Sequence, residues 1–153
     1  MSTKHTLDYL AAKTAFNLVE SAKKENGSRD IENLINKALG VLQAQGVYAL
    51  YLFLYSRSGE EKAEKETAAL LVDKLWKALS EEPAKHLGVQ KETNGASLEK
   101  DRLWESALEH RNEVLKAVTK RITADLDTLL LVRDLYEQTL IYARYHAKAL
   151  GNK

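Results

Sequence analysis

The stretch Leu39–Arg57, LGVLQAQGVYALYLFLYSR, decides how this chain folds. Within it the residues from Val47 to Tyr55 are uninterrupted apolar or aromatic. Tyr48, Tyr51 and Tyr55 are three and four apart, a spacing that stacks them on one face of a helix. Ala49, Leu50, Phe53 and Leu54 then line the other faces, so the helix is apolar nearly all round. A helix of that kind is covered on most sides. It is either the core around which other helices wrap or a surface that a second molecule covers.

Working outward, the rest of the chain reads as helix. It is 153 residues long, with a single proline, Pro83, seven glycines and no cysteine. No segment alternates with a period of two, and Ala, Leu, Glu and Lys are abundant, as in helical chains. The expectation is an all-α protein, one compact bundle of about six helices spanning 1–153 with the apolar helix at its centre. The first helix runs from near Thr6 to Lys24, its apolar side marked by Leu7, Leu10, Ala11, Phe16, Leu18 and Val19. It stops at Glu25-Asn26-Gly27. Ser28 or Asp30 caps the second, where Ile31, Leu34, Ile35, Ala38, Leu39 and Leu42 keep the 3–4 spacing. Gly46 marks a break before the central helix, which ends over Ser56–Gly59. A fourth helix, near Glu60–Ser80, turns amphipathic through Ala68, Leu71, Val72, Leu75, Trp76 and Leu79. A flexible loop occupies 81–97. Ser97 caps a fifth helix, with Leu98, Leu103, Trp104, Leu108, Val114, Leu115 and Val118 inward. The last helix starts around Thr123 and runs to Leu150.

The chemistry-bearing residues do not assemble into a catalytic motif. Without cysteine there is no thiolate metal site, no disulfide and no cysteine nucleophile. None of His5, His86, His110 and His146 follows a glutamate by three positions, so the Glu-x-x-His pair of di-iron bundles is absent. Glu105, Glu109 and Glu113 form a ladder at i, i+4, i+8, but Arg102, Arg111 and Lys116 are near enough to pair with them, giving a salt-bridged solvated face. No glycine-rich phosphate loop and no nucleophile elbow is present. The expectation is a protein without catalytic residues, metal or cofactor.

Charge bounds the partners. Lys and Arg total 23 against 22 Asp and Glu, which argues against a globally basic nucleic-acid binder but not against a local basic strip. Lys116, Lys120 and Arg121 form such a strip, Arg111 extends it, and Arg144 and Lys148 share a side of the last helix. Arg57 follows the tyrosine face. Such clusters suit phosphates; cations near helix C-termini also simply favour the helix dipole. The apolar run is shorter than the about 20 residues that span a bilayer, and the amino terminus has no signal-peptide core. The expected setting is cytoplasmic, with no membrane partner.

The central segment also resembles a known family. An apolar helix followed by Gln45-Gly46-Val47, then Leu52-Phe53-Leu54, then Ser56-Arg57 is similar to the middle helices of the Cmr small-subunit family, the small helical proteins of type III-B CRISPR effector complexes. The Ala147-Lys148-Ala149-Leu150 finish resembles that family's last helix. Tyr142 stands where the family usually has another aromatic, and Gly40 lies near the place of a common proline. The resemblance implies a non-catalytic subunit of an antiviral RNA-guided complex. Its partners would be the other effector subunits, guide RNA, target RNA and, through stacking, copies of itself. It implies RNA contact at Arg57, the one basic residue on a motif position. Lys116, Lys120 and Arg121 join it as expected RNA-binding residues on charge clustering alone, and Tyr48, Tyr51 and Tyr55 are the expected partner interface. The alternative is a helical protein–protein adaptor that binds no RNA.

Overall fold

The computed structural model describes residues 6–25, 28–57, 62–82, 84–89 and 103–151. Among these there are seven α-helices and no strand: α1 (Leu7–Glu25), α2 (Ser28–Gln45), α3 (Val47–Tyr55), α4 (Lys62–Ala78), α5 (Leu103–Glu109), α6 (Arg111–Ala117) and α7 (Leu126–Gly151). A 3₁₀ turn lies at Ala84–Leu87, and a π-helical turn at Val118–Thr123 continues α6.

Each helix buries the stripe that its apolar spacing dictates. In α2 the six expected residues Ile31, Leu34, Ile35, Ala38, Leu39 and Leu42 are all buried. In α4 Ala68, Leu71, Val72, Leu75, Trp76 and Leu79 are buried as expected, joined by Thr67, Ala69, Leu70, Asp73 and Ala78. In α1 the buried stripe is Leu10, Ala11, Thr14, Ala15, Leu18, Val19 and Ala22; Phe16, expected inside, is on the outer face.

The organising element is α7 rather than α3. At 26 residues it is the longest helix, and both α1 and α2 pack along it. Val132, Leu135, Tyr136, Thr139, Leu140, Ala143 and Ala147 form its buried stripe. Asp8 meets Tyr142, while Phe16 and Glu20 meet His146, so α1 and α7 run in the same direction. Next, α4 packs across α1, α2 and α3, and α5 lies on α4. The short α3 touches α2, α4, α6, α7 and the π turn. It is nevertheless open on one side, because Tyr48 and Leu52 are exposed.

The break before α3 is built by Gly46. Its φ of 99° and ψ of −173° lie in a region essentially reserved for glycine. The turn keeps the hydrogen-bond ladder closed on both sides: the Gly46 N–H donates to the Leu42 carbonyl at 2.9 Å, and the Gly46 carbonyl accepts from Leu50 at 3.1 Å.

The expected single fifth helix is instead three pieces. His110 sits at φ −104°, ψ 4°, between α5 and α6, and its N–H reaches back only to Ala107. Thr119 and Thr123 donate their hydroxyls to the Lys116 and Thr119 carbonyls, the back-bonding habit that loosens helical ladders. The expected loop at 81–97 is partly ordered packing: Ala84 and Val89 are buried in the core. Pro83 and 90–102, including the Ser97 cap, Leu98 and Arg102, lie outside the described residues, as do His5 and the Asn26-Gly27 stop.

Candidate nucleic-acid interface

The tyrosine face is mostly interior. Tyr51 is fully buried and edge-on to Trp76 and Tyr136, with ring centroids 6.0 and 6.1 Å away, and it stacks on Tyr55 at 6.5 Å. Its hydroxyl lies 2.6 Å from that of Tyr136, whose own hydroxyl donates to the Leu75 carbonyl at 2.9 Å. A phenol has one proton. Tyr136 spends its proton on Leu75, so Tyr51 donates to Tyr136. Burial pushes the Tyr51, Tyr55 and Tyr136 hydroxyls well above the ordinary tyrosine range, and Arg111 pulls that of Tyr55 slightly back. The Tyr55 hydroxyl is buried with no hydrogen-bond partner among the described residues. A partner surface made of Tyr48, Tyr51 and Tyr55 is therefore corrected to Tyr48 alone. The helices covering Tyr51 and Tyr55 are this chain's own, because spacing along one helix does not reveal how wide a face its neighbours bury.

Arg57 is committed inside the bundle. Its guanidinium donates to Glu64 at 2.8 Å, lies 4.9 Å from the centre of the Phe53 ring, and its side chain is only 12 % exposed. Lys37 reaches the same Glu64 at 3.9 Å. The expected RNA contact at Arg57 is thus replaced by a clamp joining α2, the end of α3 and α4. An arginine at a helix end beside a glutamate one helix later pairs with it more readily than it waits for a phosphate.

The remaining basic residues behave differently. Lys116, in the last turn of α6, and Lys120, in the π turn, are four apart and exposed. Neither has an ion-pair partner among the described residues. Arg121 is the next residue and is half-buried. The structure therefore groups these three cations along one helical segment and separates Arg57 from them. The carboxylate ladder Glu105, Glu109 and Glu113 is exposed, with Glu113 3.9 Å from His110.

The other end of the charge distribution was not legible in sequence. A groove of about 300 Å³ between α1 and α7 is lined by Leu7, Asp8, Asp134, Glu137 and Gln138. Its carboxylates are engaged: Asp8 accepts from the Tyr142 hydroxyl and Glu137 from the Gln43 amide. Among the described residues no three His, Asp or Glu side chains are grouped to hold a metal ion. The helices carrying the groove are far apart in sequence, which is why the spacing along either one gave no hint of it. No described helix is long and apolar enough to cross a membrane. Comparison with protein-family models, with curated proteins and with solved structures finds no match for this chain.

Proposed function

We propose that the protein is a non-catalytic subunit that lies along an RNA duplex, as the small helical subunits of type III-B CRISPR effector complexes do, and holds the phosphate backbone with Lys116, Lys120 and Arg121. The observation that carries this reading is the exposure of Lys116 and Lys120 without a carboxylate partner, beside Arg121. Backbone recognition needs cations at roughly phosphate spacing and little else. The acidic groove at Asp8, Asp134 and Glu137 supports it from the other side, since it repels phosphates from the α1–α7 face near α7's middle. The test is an electrophoretic shift of a guide–target RNA duplex with wild type and with Lys116→Glu, Lys120→Glu and Arg121→Glu combined. The reading expects the shift to be lost with the helical content unchanged. An unaltered shift in the folded triple variant contradicts it.

A protein–protein adaptor is the second reading, favoured by Tyr48 and Leu52, which are exposed at i, i+4 on α3. If Tyr48→Ala abolishes co-purification with a protein partner while no RNA is retained by wild type, the adaptor reading replaces the first.

A further inference from the structure

We infer that the seam between α1 and the C-terminal half of α7 is a second binding surface, one that takes a single-stranded polynucleotide by stacking bases on Phe16 and Tyr145 and holding phosphates with Arg144 and Lys148. Phe16 and Tyr145 are 55 % and 58 % exposed, the largest exposures of any aromatic residue in the described chain. Neither ring hangs loose. Phe16 is edge-on to His146 at 5.2 Å, and the Arg144 guanidinium lies over the Tyr145 ring at 5.1 Å. These contacts pre-set both rings and lower the ordering cost of stacking a planar ligand on them.

The charge around the rings is segregated along α7. From Leu126 to Gln138 the helix carries Asp127, Asp134 and Glu137, whereas from Thr139 to Gly151 it carries Arg144, His146 and Lys148 and no carboxylate. Glu20, the acid facing this half from α1, is engaged by His146 at 3.5 Å. Arg144 and Lys148 have no ion-pair partner among the described residues.

This combination selects the occupant. An apolar protein face laid over the two rings would take Arg144 and Lys148 out of water without a counter-charge, a costly arrangement. A nucleic-acid strand brings planar rings and negative phosphates together, matching both halves of the surface. A duplex does not suit it, because paired bases are stacked on one another and unavailable to side chains. The inference does not depend on the α6 strip, which addresses the backbone of a duplex from a different segment.

The experiment is fluorescence anisotropy with the full chain and a labelled single-stranded oligouridine, oligothymidine or abasic strand of equal length and charge. Phe16→Ala and Tyr145→Ala are each expected to weaken base-bearing strands about five-fold or more, while Tyr145→Phe, which keeps the ring, restores wild-type affinity. The abasic strand is expected to bind wild type as weakly as normal strands bind the alanine variants. Arg144→Ala with Lys148→Ala is expected to flatten the salt dependence. Uridine binding without thymidine binding assigns the ligand to RNA; binding of both assigns a sugar-tolerant surface, and each supports the inference. Folded Phe16→Ala and Tyr145→Ala variants that bind as wild type overturn it, as does an abasic strand that binds equally well. So does Tyr145→Ala disrupting a protein complex with strand binding intact. A protein that holds duplex but no single strand overturns this inference and leaves the α6 reading standing.

Discussion

Tyr136 serves two partners with one hydroxyl, accepting from Tyr51 and donating to the Leu75 carbonyl, and the three buried tyrosines are consequently not equivalent. Tyr136→Phe strands the Tyr51 hydroxyl and the Leu75 carbonyl together, so it is expected to cost about 2–3 kcal/mol in urea unfolding. Tyr51→Phe removes a donor but leaves Tyr136 bonded to Leu75, for about 1 kcal/mol. Tyr55→Phe deletes a hydroxyl that has no partner and is expected to be neutral or stabilising. The order Tyr136, Tyr51, Tyr55 is the check; equal losses would contradict the hydrogen-bond assignment. The same residues govern alkaline stability. Their folded-state values are raised by burial, so their contribution is fully present below the unfolded tyrosine value near pH 10 and is lost as the pH climbs toward the folded values. Of seven tyrosines, absorbance at 295 nm should show Tyr51, Tyr55 and Tyr136 ionising only together with unfolding. Sequence spacing put Tyr51 and Tyr55 on one face, and that much is seen. What spacing lacks is the identity of the facing residue: Tyr136 is 85 positions away from Tyr51, and nothing local to either links them.

At the scale of elements, the legible features are those written into local chemistry. The stripes of α2 and α4 follow directly from apolar periodicity, and the break at Gly46 from its lack of a side chain. A Cβ at Gly46 meets nothing within 4 Å, so Gly46→Ala is resisted by backbone conformation and not by crowding. It is expected to cost about 1–3 kcal/mol, measured by thermal unfolding, with Gly40→Ala as the control that costs nothing and gains helix propensity. The start of α7 was placed two residues early. Asp125 is the cap, its carboxylate accepting from the Thr128 N–H at 3.0 Å and hydroxyl at 2.6 Å. Those bonds hold its pKa below the usual aspartate range. The stabilisation is therefore present above the unfolded aspartate value near pH 4 and fades as the pH falls through the lower folded value. Asp125→Ala should lower the melting temperature at pH 7 and lose that acid-side dependence; an unchanged profile would remove Asp125 from the cap. The division of the fifth helix at His110 and the π turn after it carry no glycine or proline signal, and periodicity passes through both. Tertiary packing of Val114, Val118 and Ile122 wins over a straight ladder there.

Over the whole molecule, the fold class was legible because 3–4 apolar spacing recurs from end to end, whereas the hub was not. The most hydrophobic run, α3, attracts attention, yet α7 gathers the other helices because its length lets α1 and α2 lie along it. Arg57 illustrates the same limit for the site: its place at the end of a motif suggested a free cation, and only the approach of Glu64 from α4 reveals a clamp. Arg57→Ala is therefore expected to destabilise the bundle by about 1–2 kcal/mol, since it removes a charge-assisted hydrogen bond and leaves Glu64 with Lys37 alone at longer range. It should leave RNA affinity at folded concentrations unchanged. The most direct test of the account is the slope of log K against log salt for RNA-duplex binding, compared between wild type and the combined Lys116→Ala, Lys120→Ala, Arg121→Ala variant. Each lost phosphate contact removes about one unit of slope, so a reduction of about three is predicted, with Arg57→Ala retaining the wild-type slope. A triple variant with the wild-type slope, or a reduction produced by Arg57→Ala instead, would contradict it.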